Sequence, residues 1–265
     1  MSDTPDKAPT AVPPRRKPGG GFNRGAPPPR RPSNQRARRR RPRWLVFGIP
    51  LVAIAVAAIL VVVLTGGGSA SKGPSAVNFK FNGTPVYGAL GPEGVPLQLG
   101  PPLGAANAGL TGDPIDGISC NTSEQLVYHH HIHLVVFVNG QPASVPLGIG
   151  MVPPAIVQQS TRGDFAAGSQ KCLYWLHVHA QDGIVHIESP EVKTFELGQL
   201  FDIWHQTLDP NHAGPATGPV SATLNGTPFA GDPRSIPLDE RAQIVLNVGT
   251  PVVDPPPISW AGTKL

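Results

Sequence analysis

Sulfur is scarce in this chain, with two cysteines and two methionines among 265 residues. A type-1 copper centre needs a cysteine, then a histidine, then usually a methionine further on. Cys172 and His177 have a compatible spacing, but Met1 and Met151 both lie upstream, which excludes that centre. No Gly-x-Ser-x-Gly elbow is present to present a nucleophilic serine. No phosphate-cradling glycine motif is present either, which removes nucleotide chemistry.

Acidic residues are missing from one region in particular. Residues 1–43 hold 13 Lys or Arg against only Asp3 and Asp6, a balance of 13 − 2 = +11; the remainder holds 8 basic and 15 acidic residues, a balance of 8 − 15 = −7. The basic pI of about 9.3 therefore belongs to the tail. No nucleic-acid partner is expected for the rest of the chain. The tail also lacks aliphatic residues, so it cannot bury enough surface to offset its ordering entropy and is expected to be disordered.

Long apolar runs are absent except once. Residues 44–65 begin Trp44-Leu-Val-Phe-Gly-Ile-Pro and carry no charge. About 20 apolar residues at a rise of 1.5 Å span the ~30 Å hydrocarbon core of a bilayer. Arginines flank the run on its N-terminal side only, and Trp44 sits at the interface, which predicts a cytoplasmic N-terminus. Pro50 falls in the first turns, where lost hydrogen bonds matter least. The run is longer than the ~7–15 residues of a signal-peptide core, so an uncleaved single-pass anchor in the cell membrane is expected. Its partner is the lipid bilayer. The basic tail sets this topology, and anionic lipid head groups are a further candidate partner, at about 1 kcal/mol per charge. A nucleic acid or a proline-recognising module is an alternative partner for the tail; the sequence names no protein partner for the outer domain.

Proline (33) and glycine (31) concentrate in the tail and in residues 66–115, which read as a linker with a strand at Val77–Phe81. From residue 116 to 250 the texture changes to Val-, Ile- and Leu-rich runs separated by turn signals. Strands are expected at Leu126–Val138, Cys172–His179, Ile184–Glu188, Val220–Leu224 and Ala242–Val248. Asn139-Gly140 and Asn225-Gly226 are hairpin dipeptides, and Asn82-Gly83 repeats the pattern. Leu197, Leu200, Phe201 and Trp204 follow helical spacing, placing a short helix near 198–206. The fold class is thus a mainly β extracytoplasmic domain, a sandwich or small barrel with one short helix, followed by an extended end at 251–265.

Cys120 and Cys172, outside the membrane, are expected to form a disulfide; metal ligation is the alternative.

Nine histidines occur, and seven fall into two groups: His129, His130, His131 and His133, then His177, His179 and His186. Side chains alternate across a strand. His129, His131 and His133 therefore share one face, and His130, Ile132, Leu134, Val136 and Val138 share the other, core-facing one. The turn at Asp182-Gly183 returns His186 opposite His179 if it is two residues long, or opposite His177 if it is four. Cross-strand neighbours lie about 4.5–5.5 Å apart, within reach of a common ion. Imidazole suits zinc, copper, iron or nickel, and a carboxylate can complete the sphere. The expected ligand set is His131, His133, His177, His179 and His186, with His129 and Glu188 as outer candidates. The cofactor expected is zinc, copper or iron. The alternatives are structural or pH-sensing histidines in an interaction module, or a zinc hydrolase with three histidine ligands and Glu188 as base. Five histidines fill a coordination sphere more readily than they leave it open, which disfavours an enzyme.

The His-x-His pairs resemble the cupin signature but depart from it. A cupin carries glutamate four residues after the second histidine, where this chain has Phe137 and Gly183. A closer resemblance is carried by Cys172 to Pro190, with its Cys-x4-His-x-His and Gly-Ile-Val-His-x-Glu segments. It continues through Leu-Gly-Gln-Leu-Phe-Asp-Ile-Trp at 197–204 and Gly-Asp-Pro-Arg-Ser-Ile-Pro-Leu at 231–238. Residues 118–252 resemble a group of bacterial extracytoplasmic proteins to which no function is attached. The resemblance implies a shared fold and a shared histidine site, and no activity.

Overall fold

The computed structural model describes residues 78–107 and 109–265. The basic tail and the apolar run at 44–65 lie outside the described residues. No helix among the described residues is long and apolar enough to cross a membrane.

The described chain is mainly β with one short α-helix. Its centre is a seven-stranded sheet that does not close into a barrel. The strands are β1 (Tyr128–Val138), β2 (Gln141–Ala143), β3 (Leu176–His177), β4 (Ile184–Ser189), β5 (Val220–Leu224), β6 (Thr227–Phe229) and β7 (Gln243–Val248). Their spatial order is β3-β4-β1-β7-β5-β6, and β2 shares the β4 side of β1. All contacts are antiparallel except β7 on β1, which is parallel. The predicted hairpin dipeptides behave as expected: Asn82 and Gly83, Asn139 and Gly140, and Asn225 and Gly226 all have positive φ. That is the backbone of the tight turn that suits strand twist.

β1 is the hub. Its even residues Ile132, Leu134 and Val136 enter the larger apolar core with Val185, Ile187, Leu176 and Val178. The helix α1 (Leu197–Ile203) packs into the same core through Leu197, Leu200, Phe201 and Ile203, with Trp204 just beyond it. Glu196 and Gln199 cap its start reciprocally. Its end is marked by the positive φ of His205.

The odd face of β1 is covered too, which alternation alone does not predict. Val135 and Phe137 form a second core with Ile184, Val245, Val86, Tyr87, Val95, Val253 and Ile258. The stretch expected to be a linker thus belongs to the fold from Lys80 onward. Short paired strands at Lys80–Phe81 with Thr84–Pro85, and at Tyr87–Leu90 with Pro96–Gln98, build the cover. Gln98 fastens it, donating Nε2–H to Leu134 O at 2.6 Å and accepting from Val145 N at 2.8 Å. The C-terminal end carries no strand or helix, yet Asn247 Nδ2 donates to Val253 O at 2.9 Å and its Oδ1 accepts from Val253 N at 2.8 Å. The physical cause of the mispredicted linker is its texture. Gly and Pro set the turns of tight hairpins here, and only a few apolar side chains per hairpin reach the sheet.

Cys120 and Cys172 form a disulfide. It joins the two-residue strands Cys120–Asn121 and Leu173–Tyr174, which pair antiparallel. Neither sulfur is free for metal.

Candidate metal centre

Register brings the histidines together. His177 of β3 pairs with His186 of β4, and His186 pairs with His131 of β1, so three imidazoles stand in one row across three strands. The longer turn at Asp182-Gly183 is therefore the one formed. Glu188 pairs with His129 in the adjacent row. Gly183 has φ +82°, and a Cβ there would lie 2.1 Å from Gln98 Nε2 and 2.4 Å from Leu134 O. Only glycine lets the turn pass under the cover.

Two groups of donor atoms result, each within 4.8 Å: His177, His179, His186 and Glu188, and His129, His131 and His186. All are buried except His129, whose side chain is 38% exposed. The cluster thus runs from the interior to the surface. Glu124, 3.9 Å from His179 Nε2 and 45% exposed, opens the inner group to the surface as well.

Hydrogen bonds assign the protons in the inner group. A carbonyl oxygen can only accept, so a ring nitrogen against one must carry hydrogen. His177 donates Nδ1–H to Tyr174 O at 2.8 Å, and His179 donates Nδ1–H to Ala166 O at 2.5 Å. Burial first, then the neighbouring imidazoles, lowers the pKa of both. Both rings are therefore neutral, and both Nε2 atoms are bare lone pairs. These lone pairs face each other at 3.1 Å. Glu188 Oε2, 3.7 Å from His177 Nε2, is buried and has no hydrogen-bond partner. Three acceptors converge with no donor between them.

His186 carries the opposite character. Burial alone would lower its pKa, but hydrogen bonds to Glu188 and Glu93, with their charges, outweigh it and raise it to about 9. Its Nε2 donates to Glu93 Oε1 at 2.7 Å, and its Nδ1 lies 3.2 Å from Glu188 Oε1. His131 is pushed down to about 3, by burial and then by His186 and His129. One imidazolium thus stands among neutral rings.

His133 does not join. It is fully buried, with Nδ1 3.3 Å from Gln243 Oε1 and Nε2 3.1 Å from Asp182 O. Burial lowers its pKa to about 4. It shares a face with His131, as expected, but two residues of strand advance it by about 6.6 Å. It links the sheet to the turn instead. His130 faces the larger core's side and bonds Leu238 O at 2.6 Å.

Glu93 and Glu124 were missed by sequence reasoning. Glu93 lies in the misread linker, where Glu93 and Asp113 are the only acids between residues 66 and 115. That isolation was the one available signal. Glu124 lies in a loop before β1, and nothing in its spacing marks it.

No family model matches the chain, and no curated protein or solved structure matches it.

Proposed function

We propose that this chain is a membrane-anchored extracytoplasmic protein whose β domain binds a transition-metal ion through clustered histidines. The observation that carries the metal reading is the facing pair of bare nitrogens, His177 Nε2 and His179 Nε2, beside the unpartnered Glu188 Oε2. Two lone pairs at 3.1 Å repel unless a cation lies between them. Backbone carbonyls on the far nitrogens are the usual means of fixing the tautomer of a ligating histidine. Nitrogen and carboxylate donors suit zinc, copper, iron or nickel.

The anchor reading rests on the uncharged run at 44–65 with arginines on one side. The disulfide supports an oxidising compartment. Anionic lipid head groups fit the tail's charge. Burial of the inner donors favours holding an ion over turning over a substrate, because a catalytic ion keeps an open position.

The test is metal analysis of the full-length protein purified in detergent, loaded with zinc and freed of excess. The wild type should retain zinc, and the variant with His177→Ala and His179→Ala should retain less. Equal zinc in both would end the proposal for the inner group.

A further inference from the structure

The cluster offers more donors than one ion can use. A tetrahedral ion about 2.0–2.1 Å from each nitrogen sets donor–donor edges of about 3.3 Å. The outer group is His129, His131 and His186, with Glu188 Oε1 reaching two of the three, so four of the six edges have that length. His129 Nε2 to His131 Nε2 is 3.1 Å, His131 Nε2 to His186 Nδ1 is 3.2 Å, His186 Nδ1 to Glu188 Oε1 is 3.2 Å, and Glu188 Oε1 to His129 Nε2 is 3.4 Å. The inner group uses different atoms: His177 Nε2, His179 Nε2 and the other oxygen of Glu188, with Glu124 Oε1 3.9 Å from His179 Nε2. His186 belongs to both groups by distance. Its Nδ1 can bond one ion only, and those four edges assign it to the outer one.

Resting on the reading of this cluster as a metal site, we propose that the domain binds two transition-metal ions bridged by the Glu188 carboxylate. The inner ion is held by His177, His179, Glu188 Oε2 and Glu124. The outer ion is held by His129, His131, Glu188 Oε1 and His186 Nδ1, which releases its proton when the ion binds while Nε2 keeps its own against Glu93. Ions sharing a bridge of this kind sit about 3.5–4 Å apart. Two dications so close need negative charge nearby, and three carboxylates supply it: Glu188 between them, Glu124 at the inner site and Glu93 behind His186. Glu93 takes the role of the outer-shell carboxylate that orients a ligating ring, through the 2.7 Å bond to His186 Nε2. Each position has one ligand open to solvent, His129 at the outer ion and Glu124 at the inner one, while His177, His179 and Glu188 are buried.

The experiment is a titration of the metal-free full-length protein in detergent with cobalt(II). Metal per chain is read after gel filtration, with visible absorption and electron paramagnetic resonance on the same samples. The expected result is two cobalt ions per chain with a magnetically coupled signal. Changing both His129 and His131 to Ala should leave one ion, uncoupled. Glu188→Gln should abolish the coupling. A wild type that saturates at one ion overturns the pair but leaves the metal reading intact. A wild type that retains none overturns both. Two ions without coupling would overturn the carboxylate bridge. The wild-type stoichiometry decides the pair even if a variant fails to fold.

Discussion

Glu93 Oε1 accepts a 2.7 Å hydrogen bond from His186 Nε2, joining residues 93 apart in the chain. The contact spans the covering hairpin and the histidine sheet. It is also one of the two carboxylate contacts that keep His186 charged, the other being Glu188.

Replacing Glu93 with Gln should therefore lower the pKa of His186 from about 9, since the charge goes while burial stays. Imidazole chemical shifts of the metal-free protein, followed through pH, report this directly. An unchanged His186 titration would mean Glu188 alone holds the proton.

Acid should unfold the metal-free protein early. His131, His133, His177 and His179 all have folded pKa values below the ordinary 6.5, with His133 near 4 and His131 near 3. Below pH ~6.5 the unfolded chain binds protons that the folded one refuses, so stability falls as pH falls towards 3–4. Asp182 and Glu124, raised chiefly by burial, and Asp116, raised chiefly by its hydrogen bond to Asp202, act in the opposite sense, while the lowered Asp202 and Asp209 act with the histidines. His186 is raised, so its contribution is complete below ~6.5 and is lost as pH rises through about 9. Urea midpoints measured from pH 4 to 10 should peak near neutrality. A midpoint still climbing between pH 7 and 9 would contradict this assignment of charges.

Gly150→Ala should damage the site from outside it. Gly150 has φ +75°, and an added Cβ would lie 2.3 Å from Leu176 O and 2.9 Å from His177 Cβ. The left-handed backbone alone costs an alanine about 1–2 kcal/mol, and the clash pushes on β3. Thermal unfolding should fall and zinc retention should fall with it. Retained zinc at wild-type level would show that β3 shifts without moving His177.

Replacing Cys120 and Cys172 with Ser should destabilise the domain and spare the metal. The disulfide closes a separation of 52 residues, for which chain entropy gives about 4 kcal/mol. Neither cysteine belongs to a donor group. Chemical denaturation with zinc analysis on the same samples separates the two effects; a loss of metal at full folding would implicate the strand Leu173–Tyr174 in holding His177.

Much of the sheet was legible because its rules are local. Alternation assigned His130, Ile132, Leu134 and Val136 to one side and His129, His131 and His133 to the other. Helical spacing found α1, and asparagine–glycine pairs found the turns. The cluster itself was half legible: the shared faces could be read, but which histidines meet depends on register. His133 was expected as a ligand and is a strut, because sharing a face is not sharing a place along the strand. The parallel pairing of β7 on β1 joins residues more than 100 apart, and no local signal carries it. The cover over the odd face was lost for a different reason. Its glycines and prolines are turn chemistry, and composition alone does not separate tight hairpins from a loose tether.

β1 has a consequence for time as well as for place. It is one unbroken strand whose odd residues pass from His129 and His131 through His133 to the apolar Val135 and Phe137. The backbone that carries His129 and His131 therefore cannot move aside without disturbing the centre of the sheet. For a seated ion, the way out then runs past the two exposed members of the cluster, His129 and Glu124, and release is metered by this rim while the floor stays still.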